Sequence, residues 1–209
     1  MARLVLASAS PRRRELLAAA GLAFDVAPAD VDESLPPGTD PVEGAVRLAR
    51  SKAEAVAARL FARGAGAPAD ELVLAADTIV AIEDPAEPGA TRLLGKPADA
   101  GEARAMLRLL SLSRHAVVTG VAALRTRDGA LETGFERTWV TMRAIAPAEV
   151  EAYVRSGEWE GKAGGYAIQE TADRFVTKLE EGGIDNVVGL PVGLALELLG
   201  RLGGPARTV

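Results

Sequence analysis

Apolar and polar positions along the chain follow two different periods. Residues 72–82 are apolar at almost every position, which is typical of a central strand covered on both faces, and the shorter segment 3–7 predicts a second buried strand. Apolar positions three or four residues apart predict a helix that begins at Asp40-Pro41. Its apolar stripe is formed by Val42, Ala45, Ala49, Val56 and Leu60.

The rest of the pattern alternates helices with strands. Capping residues and N-terminal prolines predict helices over residues 11–20, 99–110, 147–155 and 191–202. Asp128-Gly129 predicts a hairpin between residues 116–125 and 131–145. Two short strands are expected around Gly182-Gly183. Residues 63–70 are predicted as a loop and residues 83–92 as a turn-rich insertion. An antiparallel hairpin among alternating elements favours an α/β fold with a mixed sheet and helices on its faces.

The composition excludes several classes of function and says less about the fold. The 209 residues suit one α/β domain or two small lobes, and a net charge of −5 with 4% aromatic residues argues against nucleic acid as a partner. With no cysteine and one histidine, any metal should be a hard cation on oxygen ligands, Mg²⁺ or Mn²⁺ first. No apolar run approaches the roughly 20 residues that span a bilayer, and the N-terminus lacks a signal-peptide layout, so a cytoplasmic location without membrane contact is expected.

Three consecutive arginines, Arg12 to Arg14, stand in the first turn of a predicted helix, where the positive end of the helix dipole disfavours cations. One interpretation is a solvated basic surface. The other is an anion site, in which backbone N–H groups and guanidinium groups bind a phosphate together, with Ser8 and Ser10 as further hydroxyl donors. The composition favours neither.

Asp77 interrupts the most apolar strand of the chain. Alternation places it on the same face as Ala75 and Ile79, where an ionised carboxylate is costly unless it is paired, bound to a metal or exposed to a cleft. The alternative is an aspartate that caps the next element. Since the apolar run continues past Asp77, we favour a functional carboxylate.

Lysine is rare in this chain. Only four of the 24 basic residues are lysines, namely Lys52, Lys96, Lys162 and Lys178, and a lysine kept against this bias indicates a site that needs a compact charge. Lys52 falls at helical spacing from Ala49 and Val56. Taken alone it fits a side chain whose stem covers apolar surface, whereas the set as a whole favours function.

Three further residues carry weaker indications. Glu33 lies in a polar segment that by itself assigns no role. Residues 164–169 predict a glycine turn leading into a strand that presents Gln169, whose amide matches the imide edge of uracil or thymine, unless it is a turn glutamine facing water. His115 has no evident partner, and no role is assigned to it.

The segment LASASPRRRELL resembles the opening signature of the Maf family. Further motifs of that family follow in its order: Lys52 in ARSKA, Asp77 in AADTIV, Lys96 in GKP, Thr119-Gly120-Val121, and NVVGLP from Asn186. The resemblance covers residues 4–199 and is specific because separate motifs agree in sequence order. It implies one Maf-like domain over residues 1–209, or two lobes, with a mixed, strongly twisted sheet around a central cleft.

The resemblance also implies a function. Maf proteins are nucleoside triphosphate pyrophosphatases, house-cleaning enzymes first linked to arrest of septum formation. KAGGYAIQ is similar to the branch acting on dTTP and UTP, and modified pyrimidine nucleotides are further expected substrates. The alternatives are a 7-methyl-GTP pyrophosphatase and a non-catalytic nucleotide-binding regulator of septum formation. The resemblance suggests a homodimer.

When the family's functional positions are carried over to this sequence, the resemblance implies that Asp77 is the proton acceptor. It also implies that nucleotide specificity depends on Arg12, Thr78, Lys162 and Gln169. We expect the phosphate chain to bind to Ser8, Ser10, Arg12, Arg13, Lys52 and Lys96. Glu33 and Asp77 are the expected ligands of Mg²⁺ or Mn²⁺. The chain departs from the family pattern at Glu170, where this branch usually has glycine, at Gly183-Ile184, and in the longer insertion over residues 83–92.

Overall fold

The computed structural model describes residues 2–63 and 70–205. The strands are β1 (Arg3–Leu6), β2 (Asp25–Val26), β3 (Glu71–Glu83), β4 (Thr91–Leu94), β5 (Arg114–Arg125), β6 (Leu131–Met142) and β7 (Val176–Glu180). The helices are α1 (Pro11–Ala19), α2 (Pro41–Arg63), α3 (Ala100–Leu110), α4 (Pro147–Ser156), α5 (Ile184–Val188) and α6 (Val192–Arg201). The predicted α/β class with a mixed sheet is confirmed.

Two predicted elements need correction. The chain forms helix α5 after Gly182-Gly183 rather than a strand, because the Asp185 carbonyl accepts hydrogen bonds from the N–H groups of Gly189 and Leu190. The insertion over residues 83–92 contains the start of β4, which pairs back onto β3. Most of the loop predicted over residues 63–70 lies outside the described residues.

A gap in the sheet lies beside the long strand β3. On one side β3 pairs with β5 over residues 72–81. On the other side it pairs in parallel with β1 over residues 71–74 and antiparallel with β4 over residues 80–83. Between these two short neighbours, residues 75–79 pair with no strand on this second side of β3 in the described part of the chain. Because of these directions, the C-terminal ends of β1 and β4 both point toward the gap.

The two faces of β3 pack against different helices. Val73, Ala75, Ile79 and Ala81 face α2, and Gly120 lets this helix approach closely, since a Cβ atom there would lie 2.3 Å from the Ala45 carbonyl carbon. The opposite face packs against α1, α3, α4 and α6. Asp77 therefore belongs to the α2 face and its neighbour Thr78 to the other.

Candidate active site

The gap beside β3 opens into a cavity of about 820 Å³, within the size range of ligand sites. The loop after β1 contributes Ser8 and Ser10, and the loop after β4 contributes Lys96. Asp77 stands in the gap between these loops. The structure thus brings the predicted site residues to one cleft: Ser8, Ser10, Arg12, Arg13, Glu33, Lys52, Asp77, Thr78, Lys96, Lys162 and Gln169.

One side of the cavity is a chain of alternating charges, Asp77–Lys52–Glu33–Lys96, here called the charged wall. The Lys52 ammonium contacts Oδ1 of Asp77 and lies 2.6 Å from Oε1 of Glu33, and the second Glu33 oxygen lies 2.9 Å from Nζ of Lys96. The side chains of Lys52 and Asp77 are 8% and 10% exposed. A buried charge needs such pairing, so removing either partner is costly.

Glu33 links the buried and exposed ends of the charged wall. Burial by itself raises its pKa, but hydrogen bonds from Lys52 and Lys96 outweigh burial and lower the pKa of Glu33 to about 2. Glu33 is therefore an anion throughout the neutral range. The polar loop by itself assigned no role to Glu33, which was expected only as a ligand of Mg²⁺ or Mn²⁺, and the structure adds its contact with two lysines distant in sequence.

The N-terminus of α1 faces the cavity. Ser10 caps the helix through its side chain, and Ser8 accepts a hydrogen bond from the Ser10 N–H at 3.2 Å. Arg12 is half-buried and lines the cavity, whereas Arg14 is exposed and is not part of the lining. The arginine run therefore divides into residues with different surroundings, and Arg14 is the one that was not among the expected site residues.

Arg13 is occupied by internal hydrogen bonds. Its guanidinium donates to the Gly189 carbonyl at 2.7 Å, to Thr78 Oγ1 at 3.0 Å and to Ser8 Oγ at 3.3 Å. Burial lowers its pKa, opposed by the nearby charge of Asp77. These contacts join α1 to β3 and to the turn after α5, so Arg13 holds the two ends of the site together.

The Thr78 hydroxyl both donates and accepts a hydrogen bond. Its partner Thr119 donates to the Asn186 carbonyl at 3.0 Å, so the hydrogen between the two threonines comes from Thr78, at an Oγ1–Oγ1 distance of 3.0 Å. Thr78 accepts in turn from Arg13. The specificity role expected of Thr78 stays a prediction, and its contacts tie it to the placement of Arg13.

The other side of the cavity is formed by residues 166–170, here called the recognition segment. The predicted strand presenting Gln169 is wrong: a short 3₁₀ turn (Ala163–Gly165) precedes the segment, and Gln169 stands in a turn at an exposed position on the cavity. Gly164 and Gly165 both have φ of +70°, and a Cβ atom on Gly164 would lie 3.0 Å from Val80 Cγ2. Glycine is thus required where the chain turns against β3.

Lys162 is buried below the recognition segment. Its ammonium lies 2.6 Å from the Glu170 carboxylate and donates to the Glu158 carbonyl. The Glu158 carboxylate accepts from the N–H and the hydroxyl of Thr171 at 2.9 and 2.7 Å. Glu170, the residue at which the chain departs from the family pattern, therefore pairs with one of the residues expected to set specificity.

A buried contact that the sequence did not reveal lies behind the recognition segment. His115 is 0% exposed, and its Nε2 lies 2.9 Å from the hydroxyl of Tyr166, with the two rings packed edge to face. Burial lowers the pKa of His115 to about 4 and raises that of Tyr166. The two residues are 51 positions apart, so no local pattern links them.

The charges around the cavity balance. The lining contains the cations Arg12, Arg13, Lys52, Lys96 and Lys162 and the anions Glu15, Glu33, Asp77, Glu160 and Glu170. In the described part of the chain no cluster of three or more His, Cys, Asp or Glu side chains is arranged for a metal. Two carboxylates do suffice for a Mg²⁺ ion that is also held by phosphate oxygens, and the Lys52 contact with Oδ1 leaves Oδ2 of Asp77 to such an ion.

The fold and the site together define an α/β protein with a cleft lined by cationic side chains and a buried carboxylate at its centre. The chain belongs to the Maf family, whose model, described as Maf-like protein, matches residues 3–202. None of the helices in the described residues is long and apolar enough to cross a bilayer.

Several relatives match nearly the whole chain and carry the name dTTP/UTP pyrophosphatase. Three of them come from different organisms. The relative from Anaeromyxobacter dehalogenans (strain 2CP-C) is 45% identical over 97% of this chain and 95% of its own length. That from Chelativorans sp. (strain BNC1) is 48% identical over 94% and 90%, and that from Pelotomaculum thermopropionicum is 42% identical over 97% and 98%.

Proposed function

We propose that this protein hydrolyses dTTP and UTP to the monophosphate and pyrophosphate, and its relatives carry the name dTTP/UTP pyrophosphatase. The observation that carries the proposal is Asp77, whose side chain is 10% exposed on the central strand, in a cavity lined by cationic side chains from four distant segments. Hydrolysis of a phosphoanhydride needs a group that accepts a proton from water and cations that stabilise the leaving group.

The cationic groups around the cavity bind the phosphate chain in this proposal. Arg12 binds phosphate oxygens through its guanidinium and through its backbone N–H at the start of α1, and Ser8 and Ser10 complete the helix end. Lys52 and Lys96 lie on the charged wall, where phosphate oxygens would replace part of their contact with Glu33. Arg13 contributes by fixing this end of the site, given its three internal hydrogen bonds.

Asp77 accepts the proton of the attacking water, and Lys52 keeps the carboxylate oriented. Gln169, exposed on the recognition segment, offers a donor and an acceptor to the imide edge of uracil or thymine. A Mg²⁺ or Mn²⁺ ion held by Asp77 and Glu33 would polarise the α-phosphate and offset the charge of the triphosphate. The balanced charge of the cavity supports a need for such a cation, since a bare triphosphate would leave the site strongly negative.

The test is pyrophosphate release across dTTP, UTP, CTP, GTP and 7-methyl-GTP, with Mg²⁺, with Mn²⁺ and with a chelator. We expect fastest turnover with dTTP and UTP and loss of activity with the chelator. Fastest turnover of 7-methyl-GTP would instead identify the other branch, and binding without turnover of any nucleotide would identify a regulator.

Three further properties are proposed. A cytoplasmic location follows from the sequence expectation, and a homodimer and a link to septum formation follow from the family resemblance. Sedimentation at several concentrations tests the dimer, and microscopy of a tagged protein and of cells with altered expression tests the other two.

A further inference from the structure

The single histidine of the chain takes no part in the proposed reaction, yet it has partners at both ring nitrogens. His115 lies on β5, is fully buried and does not line the cavity. Its Nδ1 lies 3.1 Å from the Ser113 hydroxyl and its Nε2 lies 2.9 Å from the Tyr166 hydroxyl. A buried imidazole with both nitrogens paired avoids the cost of an unpaired polar group.

The direction of each hydrogen bond follows from the partners. The Ser113 hydroxyl donates its hydrogen to the Leu110 carbonyl at 2.8 Å, so toward His115 it can only accept. His115 therefore carries its proton on Nδ1 and presents a free lone pair on Nε2. Tyr166 donates to that lone pair, which completes a chain of three hydrogen bonds from the cavity wall to the end of α3.

Tyr166 is the first residue of the recognition segment. Its neighbour Ala167 donates its N–H to the hydroxyl of Tyr153 at 3.2 Å, and Gly164 donates to the Gly95 carbonyl at 2.9 Å, next to Lys96. These bonds fix the backbone that precedes Gln169. The Tyr166–His115 bond is the one that anchors a side chain of this segment to the central sheet.

We propose that His115 is a positioning residue for nucleotide selection, which acts through Tyr166 to hold Gln169 at the cavity. The inference rests on the proposed function, since Gln169 is taken as the group that recognises the base. Without the acceptor on His115, the buried Tyr166 hydroxyl loses its partner, and the segment gains alternative arrangements in which the Gln169 amide no longer faces one base edge.

The experiment compares Tyr166→Phe, His115→Phe, which removes the acceptor nitrogen and keeps an aromatic ring, and the double variant. For each protein, calorimetry measures the affinity for non-hydrolysable α,β-methylene analogues of UTP and GTP, and pyrophosphate release gives kcat and KM for UTP and GTP. We expect the uridine-to-guanosine affinity ratio to fall about fivefold in each variant, the effect of about one hydrogen bond, with kcat at saturation changed much less. Because one bond links the two residues, the double variant should lower the ratio no further.

A core substitution remote from the cavity serves as the control. Leu198 on α6 is 1% exposed and belongs to a different hydrophobic cluster, so Leu198→Val weakens the fold without touching the recognition segment. Its affinity ratio should equal that of the wild type. A ratio unchanged in Tyr166→Phe, which retains the aromatic ring, would overturn the inference, as would equal affinity of the wild type for both analogues. Binding with normal selectivity but no pyrophosphate release would refute the proposed function and leave the affinity test intact.

Discussion

The charged wall and the recognition segment meet across the same cavity but are stabilised in opposite ways. In the charged wall the functional groups are paired with one another: Lys52 contacts both Asp77 and Glu33. In the recognition segment the exposed Gln169 is flanked by residues that bond to residues outside the segment, Tyr166 to His115 and Glu170 to Lys162.

This difference indicates that the charged wall and the recognition segment have different functions. A wall of mutually paired charges is sensitive to any change of charge or size, because each group depends on the next. A segment anchored from behind can lose its exposed side chain without losing its shape. Changes to the charged wall should therefore lower turnover of every nucleotide, whereas changes to the recognition segment should alter the preference among nucleotides.

Asp77→Asn should have the largest effect. The amide keeps the size of the side chain but cannot accept the proton from water, so we expect kcat to fall about 1,000-fold for UTP and GTP alike. Pyrophosphate release is the measurement. Circular dichroism and a cooperative thermal transition show that the fold is intact, at a lower midpoint because Lys52 loses one of its two carboxylate partners. Turnover similar to that of the wild type would remove Asp77 from the mechanism.

Lys52→Arg tests the charged wall with the charge retained. The longer, planar guanidinium does not fit a position 8% exposed between two carboxylates, and displacement of Asp77 by about 1 Å should cost roughly 100-fold in kcat/KM for all nucleotides. Lys178→Arg is the matched control, because that side chain is 63% exposed on β7. Full activity of the Lys52 variant would mean that only the positive charge matters there.

The buried part of the charged wall was predictable from the sequence, and the backbone structure of the recognition segment was not. A lone carboxylate in an apolar strand identified Asp77, and helical spacing placed Lys52 on the buried face of α2, where it does contact Asp77. The gap that opens the cleft depends on where two short strands stop along β3, which is a matter of long-range pairing. That the chain folds as one domain remains a prediction.

The sequence failed where a residue's role depends on a distant partner. Arg12, Arg13 and Arg14 were indistinguishable as a run, yet Arg13 is bonded to Gly189, 176 positions away. The strand expected before Gln169 is replaced by turns because Glu158 bonds to Thr171 and Lys162 to Glu170. Neither contact follows a helical or strand period.

The pH dependence of stability should report on the anchor behind the recognition segment. Burial lowers the pKa of His115 to about 4 from 6.5, so in the folded state the imidazole stays neutral while the unfolded chain takes up a proton as the pH falls below 6.5. Stability is therefore lost between pH 6.5 and 4. From pH 7 to 5 this amounts to about 2 kcal/mol.

Urea denaturation at pH 7 and 5 measures this loss. His115→Gln lacks the titrating group, so its free energy of unfolding should change less over the same interval, while the acidic residues contribute equally to both proteins. An equal pH dependence of the two proteins would mean that His115 does not titrate in this range in the unfolded chain or is not neutral in the folded one.

Arg12→Ala and Arg14→Ala separate the two ends of the arginine run. Arg12 lines the cavity and Arg14 does not. Loss of a charge-assisted hydrogen bond to phosphate should raise KM about tenfold for UTP and GTP equally in the Arg12 variant and leave the Arg14 variant unchanged. If Arg12 also contacts the base, as the family resemblance implies, the two nucleotides will instead be affected unequally.

Gln169→Ala should have the smallest effect on rate and the most selective one. Its side chain is exposed, so removal leaves no buried group unpaired, and the recognition segment keeps its anchors at His115 and Tyr153. We expect the ratio of UTP to GTP turnover to fall about fivefold, with GTP turnover nearly constant. A uniform loss for both nucleotides would assign Gln169 to phosphate binding and would remove the distinction between the two sides of the cavity. An unchanged ratio would mean that another group recognises the base.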